Sequence, residues 1–324
     1  MVVYNCGDYI NEAIQSVLDQ TYKYFELVII DDGSSDNTLD VINSFNDNRI
    51  KLIQHKFNQG VAQARNSALK HSIGKYIAII DADDVAVNTR FEKQISYLEN
   101  NDISVVASHH DFIDEHSNYI GPTVNRSIPK GQEMSYFAFY NICNSTVMYK
   151  KDIVRNMNPV YNNLLGAEDF DLFLRLSFFE NFHILPDVLM RIRKRKGSLC
   201  SENWDYFANI IDVCRIKIIN ELGLYPNKDH SIIHSKLVNK EYNELKTYSL
   251  SKIFNWIKKI LLANNKKDYF PNPFFNDEWY IRLTKILKSR KHKSIIDFYR
   301  YNKIASIIGK KRSLSDLIYI YFKS

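Results

Sequence analysis

The sequence predicts an α/β fold built on a mostly parallel, Rossmann-like sheet flanked by helices, followed by a helical, basic C-terminal region. Three observations carry this expectation. Short apolar runs alternate with segments of helical period through the first 190 residues. Those runs are apolar on both faces, as strands covered by helices on both sides must be. After about residue 200 the strand signals fade, and Lys, Asn and Tyr become frequent. The expected division is therefore a sheet domain over 1–200 and a helical domain over 201–324.

Val2–Tyr4 reads as the end of a first strand, and Ile10, Ala13, Ile14, Val17 and Leu18 then recur at helical spacing. Leu27–Ile30 is a continuous apolar run that ends in Asp31-Asp32-Gly33, a strand and then a turn. Ser34 and Ser35 are good caps for a helix carrying Leu39, Ile42 and Phe45. Ile50–Ile53 is a further strand, Val61–Lys70 a helix, and Tyr76–Ile80 an apolar strand running into Asp81. Val105–Ala107 and Thr146–Tyr149 complete the expected strands. Beyond Glu202, helical spacing recurs at Ile210–Ile218, Ile253–Leu261 and Ile304–Ile308, with a break at Pro271-Asn272-Pro273.

Forty-five per cent apolar residues are ample for a packed core. The net charge of +6 hides an asymmetry. Residues 1–189 hold 15 Lys+Arg against 25 Asp+Glu, a net of −10, whereas 190–324 hold 28 against 12, a net of +16. Cys6, Cys143, Cys200 and Cys214 show no zinc spacing and read as free thiols of a reducing, cytoplasmic compartment. No leader and no apolar run of membrane-spanning length is expected, so Asn125-Arg126-Ser127 and Asn144-Ser145-Thr146 read as chance glycosylation matches. No nucleic-acid module is present, and the glycine fingerprints of dehydrogenases and P-loop enzymes are missing.

Ligands of parallel sheets sit beyond the carboxyl ends of the strands, and both Asp-rich turns, 31–32 and 81–84, fall there. Asp81 and Asp83, two apart at a strand end, are expected to point to one side as an oxygen site for Mg²⁺ or Mn²⁺; a solvated turn is the bland alternative. Asp31-Asp32-Gly33-Ser34 can meet a pyrimidine ring or simply form a capped turn. Gly60 opens a helix with Arg65 one turn in, suited to an anion or to solvent. Glu168-Asp169 opens an apolar helix, where a carboxylate can act as general base or favour the helix dipole.

In this order, the segments Val3-Tyr4-Asn5, Ser16–Tyr22, Glu26–Ser34, Asn58–Asn66, Asp81–Asp84 and Glu168-Asp169 resemble those of the family 2 glycosyltransferases, inverting enzymes of GT-A fold. The resemblance covers about residues 1–200. It implies a nucleotide-sugar donor, with UDP as the default nucleotide, and a saccharide or lipid-linked acceptor in surface polysaccharide or glycan synthesis. It implies that Tyr4, Asn5, Asp31, Asp32, Arg65 and Asp81 line the nucleoside site and that Asp83 ligates Mn²⁺ or Mg²⁺. Asp169 would deprotonate the acceptor hydroxyl, with Glu168 in support. Two departures stand out. Family members carry a longer first strand, so either the sequence is truncated or the sheet tolerates a short one. Arg195 stands where members often place a histidine, and an arginine cannot ligate a metal but can pair with phosphate. Arg193, Arg195 or both are therefore expected to face the diphosphate, with weakened metal dependence.

The basic C-terminal region fits either a helical domain, as part of a homodimer or packed on the catalytic one, or a peripheral membrane surface. In the second case Trp256 and Tyr319–Phe322 would lie at the interface. Two rival functions remain. Asp81-Ala82-Asp83-Asp84-Val85 also fits the nucleophile motif of haloacid-dehalogenase-type phosphatases, and a non-catalytic nucleotide-sugar-binding protein would share the fold.

Overall fold

The computed structural model describes residues 1–123, 127–128, 131–164, 166–195, 204–290 and 294–310. Two compact units emerge, Met1–Glu133 with Asn141–Ile211, and Met134–Tyr140 with Asp212–Ser324. Their boundary in the chain lies at 211/212, and a short piece of the first half of the sequence, Met134–Tyr140, belongs to the second unit.

The first unit begins with three parallel strands, β1 (Val2–Val3), β2 (Leu27–Asp31) and β3 (Ile50–Gln54), in the order β1-β2-β3. β2 is buried along its whole length because both its faces are covered. Leu27 and Ile29 join the large core with α1 (Ile10–Leu18) and α2 (Thr38–Asn43), while Val28 and Ile30 pack with Ala64 of α3 (Val61–His71). β1 is short, and the Met1 amine donates to the Val28 carbonyl at 2.9 Å. A cavity of about 300 Å³ lies beside it, bordered by Leu27, Val28, Ile77 and Ile79.

The second sheet is mixed. β4 (Tyr76–Ala78), β8 (Met148–Lys150), β6 (Val105–Ile113), β9 (Phe182–Arg193) and β5 (Val85–Ala86) follow in that order, and β7 (Tyr119–Pro122) pairs with β6. β6 and β9 run parallel, whereas β4–β8, β6–β8 and β5–β9 are antiparallel. A parallel bridge between Val2 and Asp81 brings the carboxyl side of β4 against β1. α4 (Arg90–Asn100) packs beneath, and its Arg90 is wholly buried. That guanidinium donates to the carbonyls of Ile79 (2.8 Å) and Val147 (3.1 Å) and to Gln94, stitching β4 to the residue before β8.

Several elements differ from the sequence expectation. α2 starts at Thr38, not at the serines, because Ser34 and Ser35 bind Asn5 and Asp31 instead of capping. Asn144–Thr146 forms a single 3-10 turn, so β8 begins later than expected. β6 runs to Ile113, well past Ala107. α5 (Glu133–Phe137) and α6 (Glu168–Leu176) complete the elements up to β9.

The second unit is helical. It comprises α5 from Met134 onward, α7 (Trp204–Glu221, from Asp212 onward), α8 (Lys228–Val238), α9 (Leu250–Lys267), α10 (Phe274–Lys288) and α11 (Ile295–Ile307). α9 buries Ile253, Phe254, Trp256, Ile257, Ile260 and Leu261, and it packs against α8, α10 and α11. Ser249 caps its start by accepting from the Lys252 N–H, and Ser294 with Asp297 forms a capping box on α11. Trp256, which the membrane alternative would place at an interface, is buried and stacks on His230 with centroids 4.7 Å apart. Its place at i+3 from Ile253 puts it on the core stripe of α9, which decides the matter. Tyr319–Phe322, Cys200 and the 125–126 part of the first sequon lie outside the described residues. Among the described cysteines Cys6 and Cys214 are buried, Cys143 is half-buried, and all three are free thiols.

Candidate active site

β2 delivers Asp31 and Asp32 to its carboxyl end, where both are buried. Asp31 accepts from the Ser34 N–H, closing the turn. Gly33 sits there at φ +80°, and a Cβ on it would fall 2.8 Å from the Phe57 backbone, so only glycine fits. Asn5, itself at φ +50°, locks the β1 loop to this turn. Its N–H donates to Ser34 Oγ at 2.9 Å, and its side-chain oxygen accepts from the Ser35 N–H at 2.8 Å. Tyr4 beside it is about half exposed.

Asp32 spends its carboxylate inside the protein. It accepts from the Gln59 N–H (3.0 Å) and the Gly60 N–H (2.9 Å), and it lies 2.6 Å from His55 Nδ1. The side chain thereby shapes the 55–60 loop that leads into α3. Asp32 itself is 2% exposed.

Arg65 stands at the centre of a second cluster. Its guanidinium donates to Glu168 Oε1 and, at 3.2 Å, to Asp81 Oδ1, and it lies 5.7 Å from the Tyr161 ring centroid. Burial opposes its charge, yet Asp81, Glu168 and Asp169 hold the guanidinium above its ordinary value. One arginine thus ties Asp81, three residues past β4, to the first turn of α6. Asn66, the next residue, braces the loop before α6 by exchanging hydrogen bonds with the Tyr161 backbone at 2.9 and 3.0 Å. Glu168 is buried, and its second oxygen meets no hydrogen-bond donor among the described residues. Asp169, half-buried beside it, accepts from the Phe170 N–H. Burial first, and Glu168 second, push its carboxyl up to about 7 against the pull of Arg65.

Asp81–Asp84 is a turn, closed by the Asp84 N–H on the Asp81 carbonyl. Strand alternation therefore does not apply, and the expected convergence of Asp81 and Asp83 on one side does not occur through the strand. Each carboxylate goes its own way. Asp81 pairs with Arg65, Asp83 with Arg195 Nε at 2.8 Å, and Asp84 is buried and accepts from the Arg193 N–H at 2.9 Å. Burial, then Asp83 and Asp81, hold the Asp84 carboxyl well above the usual carboxylate range.

Arg193, expected at the diphosphate, is committed elsewhere. Its side chain is 1% exposed. Nε donates to the Asp83 carbonyl (2.9 Å), Nη1 to the Asp114 carbonyl and Ser117 Oγ (both 2.9 Å), and Nη2 to Glu12 (2.5 Å). Its position as the last residue of β9 aims it into the protein, and all three of its nitrogens are used. Arg195, two residues on, remains beside Asp83, and both guanidinium groups lie 5.1 Å from the Tyr9 ring centroid.

Several residues of this site went unread in the sequence: His55 on Asp32, Ser145 donating toward Asp84 and accepting from the Asp81 N–H (3.1 Å), Tyr161, Tyr9 and Glu12. Only His55 carried a signal, as the residue directly after β3 at a carboxyl end. The others become partners through tertiary contact.

The metal implied by the resemblance finds a poor donor set. Among the described residues no group of three or more His, Cys, Asp or Glu side chains is placed to hold an ion. A Mg²⁺ ion at a phosphate site still needs one or two carboxylates of its own beside water and phosphate oxygens, while here one carboxylate is paired with Arg65, one with Arg195, and one is buried toward its neutral form. The residues as arranged do not fit a divalent cation.

Acidic turns at strand ends, the second of them joined by Arg65 to the buried Glu168 at the start of α6, mark an α/β protein with a polar site. Comparison with known proteins makes the class specific. The family model "Glycosyl transferase family 2" matches residues 1–157. WfgD of Escherichia coli, a UDP-Glc:alpha-D-GlcNAc-diphosphoundecaprenol beta-1,3-glucosyltransferase, is 34% identical over 227 residues, covering 65% of this chain and 85% of its own. WfaP of the same organism, described by the same activity, is 36% identical over 179 residues, covering 54% and 68%. Among solved structures, TarS 1-349 of S. aureus in complex with UDP-GlcNAc superposes with a TM-score of 0.55 at 17% identity, over 95% of this chain and 87% of that one, and so shares its fold. The chain belongs to glycosyltransferase family 2. It is a glycosyltransferase of GT-A fold that uses a nucleotide sugar.

Proposed function

We propose that the chain moves a sugar from a UDP-sugar to a hydroxyl of a lipid-linked saccharide, by one in-line displacement with inversion, on the path to a surface polysaccharide. The observation that carries this reading is the Asp81–Arg65–Glu168 bridge, which fixes the helix bearing Asp169 to the strand end where a donor would lie. Asp169 takes the acceptor hydroxyl's proton as its oxygen bonds to the anomeric carbon. The bond from that carbon to the diphosphate oxygen breaks, and UDP leaves with the electron pair. A carboxylate that titrates near neutrality is matched to this task. Tyr4, Asn5 and the Asp31–Asp32 turn frame the nucleoside, with Asp32 acting through the 55–60 loop. Arg65 positions Asp81 and Glu168.

The UDP donor and lipid-linked acceptor are supported by the activities named for WfaP and WfgD, and UDP also by the TarS complexes. A phosphatase would need Asp81 free to attack, whereas Arg65 holds it. A purely binding role would leave Asp169 without use.

Asp169→Asn tests the base. Transfer is expected to fall by about 10²–10⁴-fold with UDP binding kept, and the wild-type rate should rise with pH to a plateau above about 7. Full activity in Asp169→Asn would sink the assignment. The stability sign is fixed too. The folded Asp169 holds its proton up to about pH 7, but the unfolded one loses it near 3.8. The wild type therefore loses stability between those values, and Asp169→Asn should melt higher relative to it at pH 8 than at pH 4.

A further inference from the structure

The carboxylate that family resemblance assigns to a cation is already neutralised from within the chain. Asp83 Oδ2 accepts from Arg195 Nε at 2.8 Å, and each side chain of the pair is 19% exposed. The pair is fixed from two sides. Arg193 Nε holds the Asp83 carbonyl at 2.9 Å, and the Tyr9 ring lies 5.1 Å from the Arg195 guanidinium. The Asp83 carboxylate in turn holds the Arg195 guanidinium above its ordinary value, against the effect of burial. Neither Asp81 nor Asp84 can easily be recruited as a further ligand, because the first serves Arg65 and the second faces the Arg193 N–H in a buried place that favours its neutral form.

We propose that Arg195 and a divalent cation are mutually exclusive partners of Asp83, and that Arg195 supplies the positive charge facing the donor's diphosphate in place of a tightly held metal. An arginine suits the task, since its planar guanidinium can pair with carboxylate and phosphate oxygens together. The exchange needs no new fold. A cation reaching Asp83 must displace Nε from Oδ2, and removal of the guanidinium leaves a carboxylate with no counter-charge. The diphosphate half of the proposal rests on the reading of the chain as a UDP-sugar enzyme; the competition for Asp83 does not.

Binding measurements on the full chain separate the two. Mn²⁺ alone, titrated calorimetrically and by the electron-spin signal of free ion, should bind Arg195→Ala and Arg195→His at least about tenfold more tightly than wild type. Asp83→Asn in the Arg195→His background should erase that gain. Arg195→Lys, which keeps the charge, should hold Mn²⁺ off as wild type does, and Arg195→His carries the test if the alanine variant melts early. Equal Mn²⁺ affinity in wild type, Arg195→Ala and Arg195→His overturns the competition. UDP is then titrated in chelator and in Mn²⁺. Wild type should bind it about equally in both, whereas Arg195→Ala should lose at least about tenfold in chelator and regain it with Mn²⁺. Wild-type UDP binding that disappears in chelator overturns the substitution of arginine for metal. If no variant binds UDP in either medium, it is the donor assignment that fails, and the Mn²⁺ titrations still decide the competition.

Discussion

Arg65 and Asp169 show how a single side chain acquires meaning from its neighbours. Alone, an arginine one turn into an amphipathic helix is unremarkable, and so is an aspartate at a helix start. Here Arg65 answers Asp81 and Glu168 together, and Glu168 is 3% exposed. Removing one partner of a buried pair leaves the other charge uncompensated, at a cost of about 3–5 kcal/mol. Arg65→Ala should therefore lower the urea midpoint by that equivalent. Arg65→Lys should recover only part of it, because an ammonium is a point charge that cannot span two carboxylates as the guanidinium fork does. An unchanged midpoint in Arg65→Ala would mean that the bridge contributes nothing to folding. The place of these residues at strand and helix ends was legible in the sequence. Their mutual pairing was not.

At the level of elements, the apolar strands β2 and β3 and the helices α1, α3 and α6 could be read from period and run length. β9 could not. Its twelve residues, Phe182–Arg193, hold two short apolar runs broken by Pro186-Asp187 with no regular alternation, and its pairing with β6 shifts register twice. Local pattern is weak there, and the partner strand supplies the order. That strand ends on Arg193, whose donors tie the Asp83 turn, the 114–117 loop and Glu12 of α1 together. Arg193→Lys should lower stability by at least about 2 kcal/mol, through acceptors left unsatisfied in a buried place. Nucleotide affinity per folded molecule should change far less than in Arg195→Ala. The opposite ranking, measured by denaturation and UDP titration, would restore Arg193 to the diphosphate.

On the scale of the whole molecule, charge is divided as sharply as structure, −10 over residues 1–189 and +16 over 190–324. No described helix is long and apolar enough to cross a membrane. α9 does present a stripe of Asn255, Lys259, Leu262 and Lys266 to solvent, with Leu262 47% exposed. Each basic residue near an anionic bilayer contributes about 1 kcal/mol, within a Debye length of about 10 Å at 0.1 M salt. The chain is expected to sediment with phosphatidylglycerol vesicles at low salt and to be released at high salt, and Lys259→Glu with Lys266→Glu should weaken that binding. Failure of the wild type to sediment under any salt condition would end the membrane reading. Trp256 plays no part in it, being core.

The sequence by itself determined the α/β class, the run of helices after the sheet, and the presence of the acidic turns, Arg65 and Glu168-Asp169 at element ends. Those features are local: apolar period, turn chemistry and residue type act over a few positions. Only the tertiary structure decided which acid meets which base. Arg65 and Glu168 are 103 positions apart, Asp83 and Arg195 112, and Glu12 and Arg193 181. No local pattern spans such distances. Sheet order and register set them, and with them the pairing of Asp83 with an arginine where a metal had been expected.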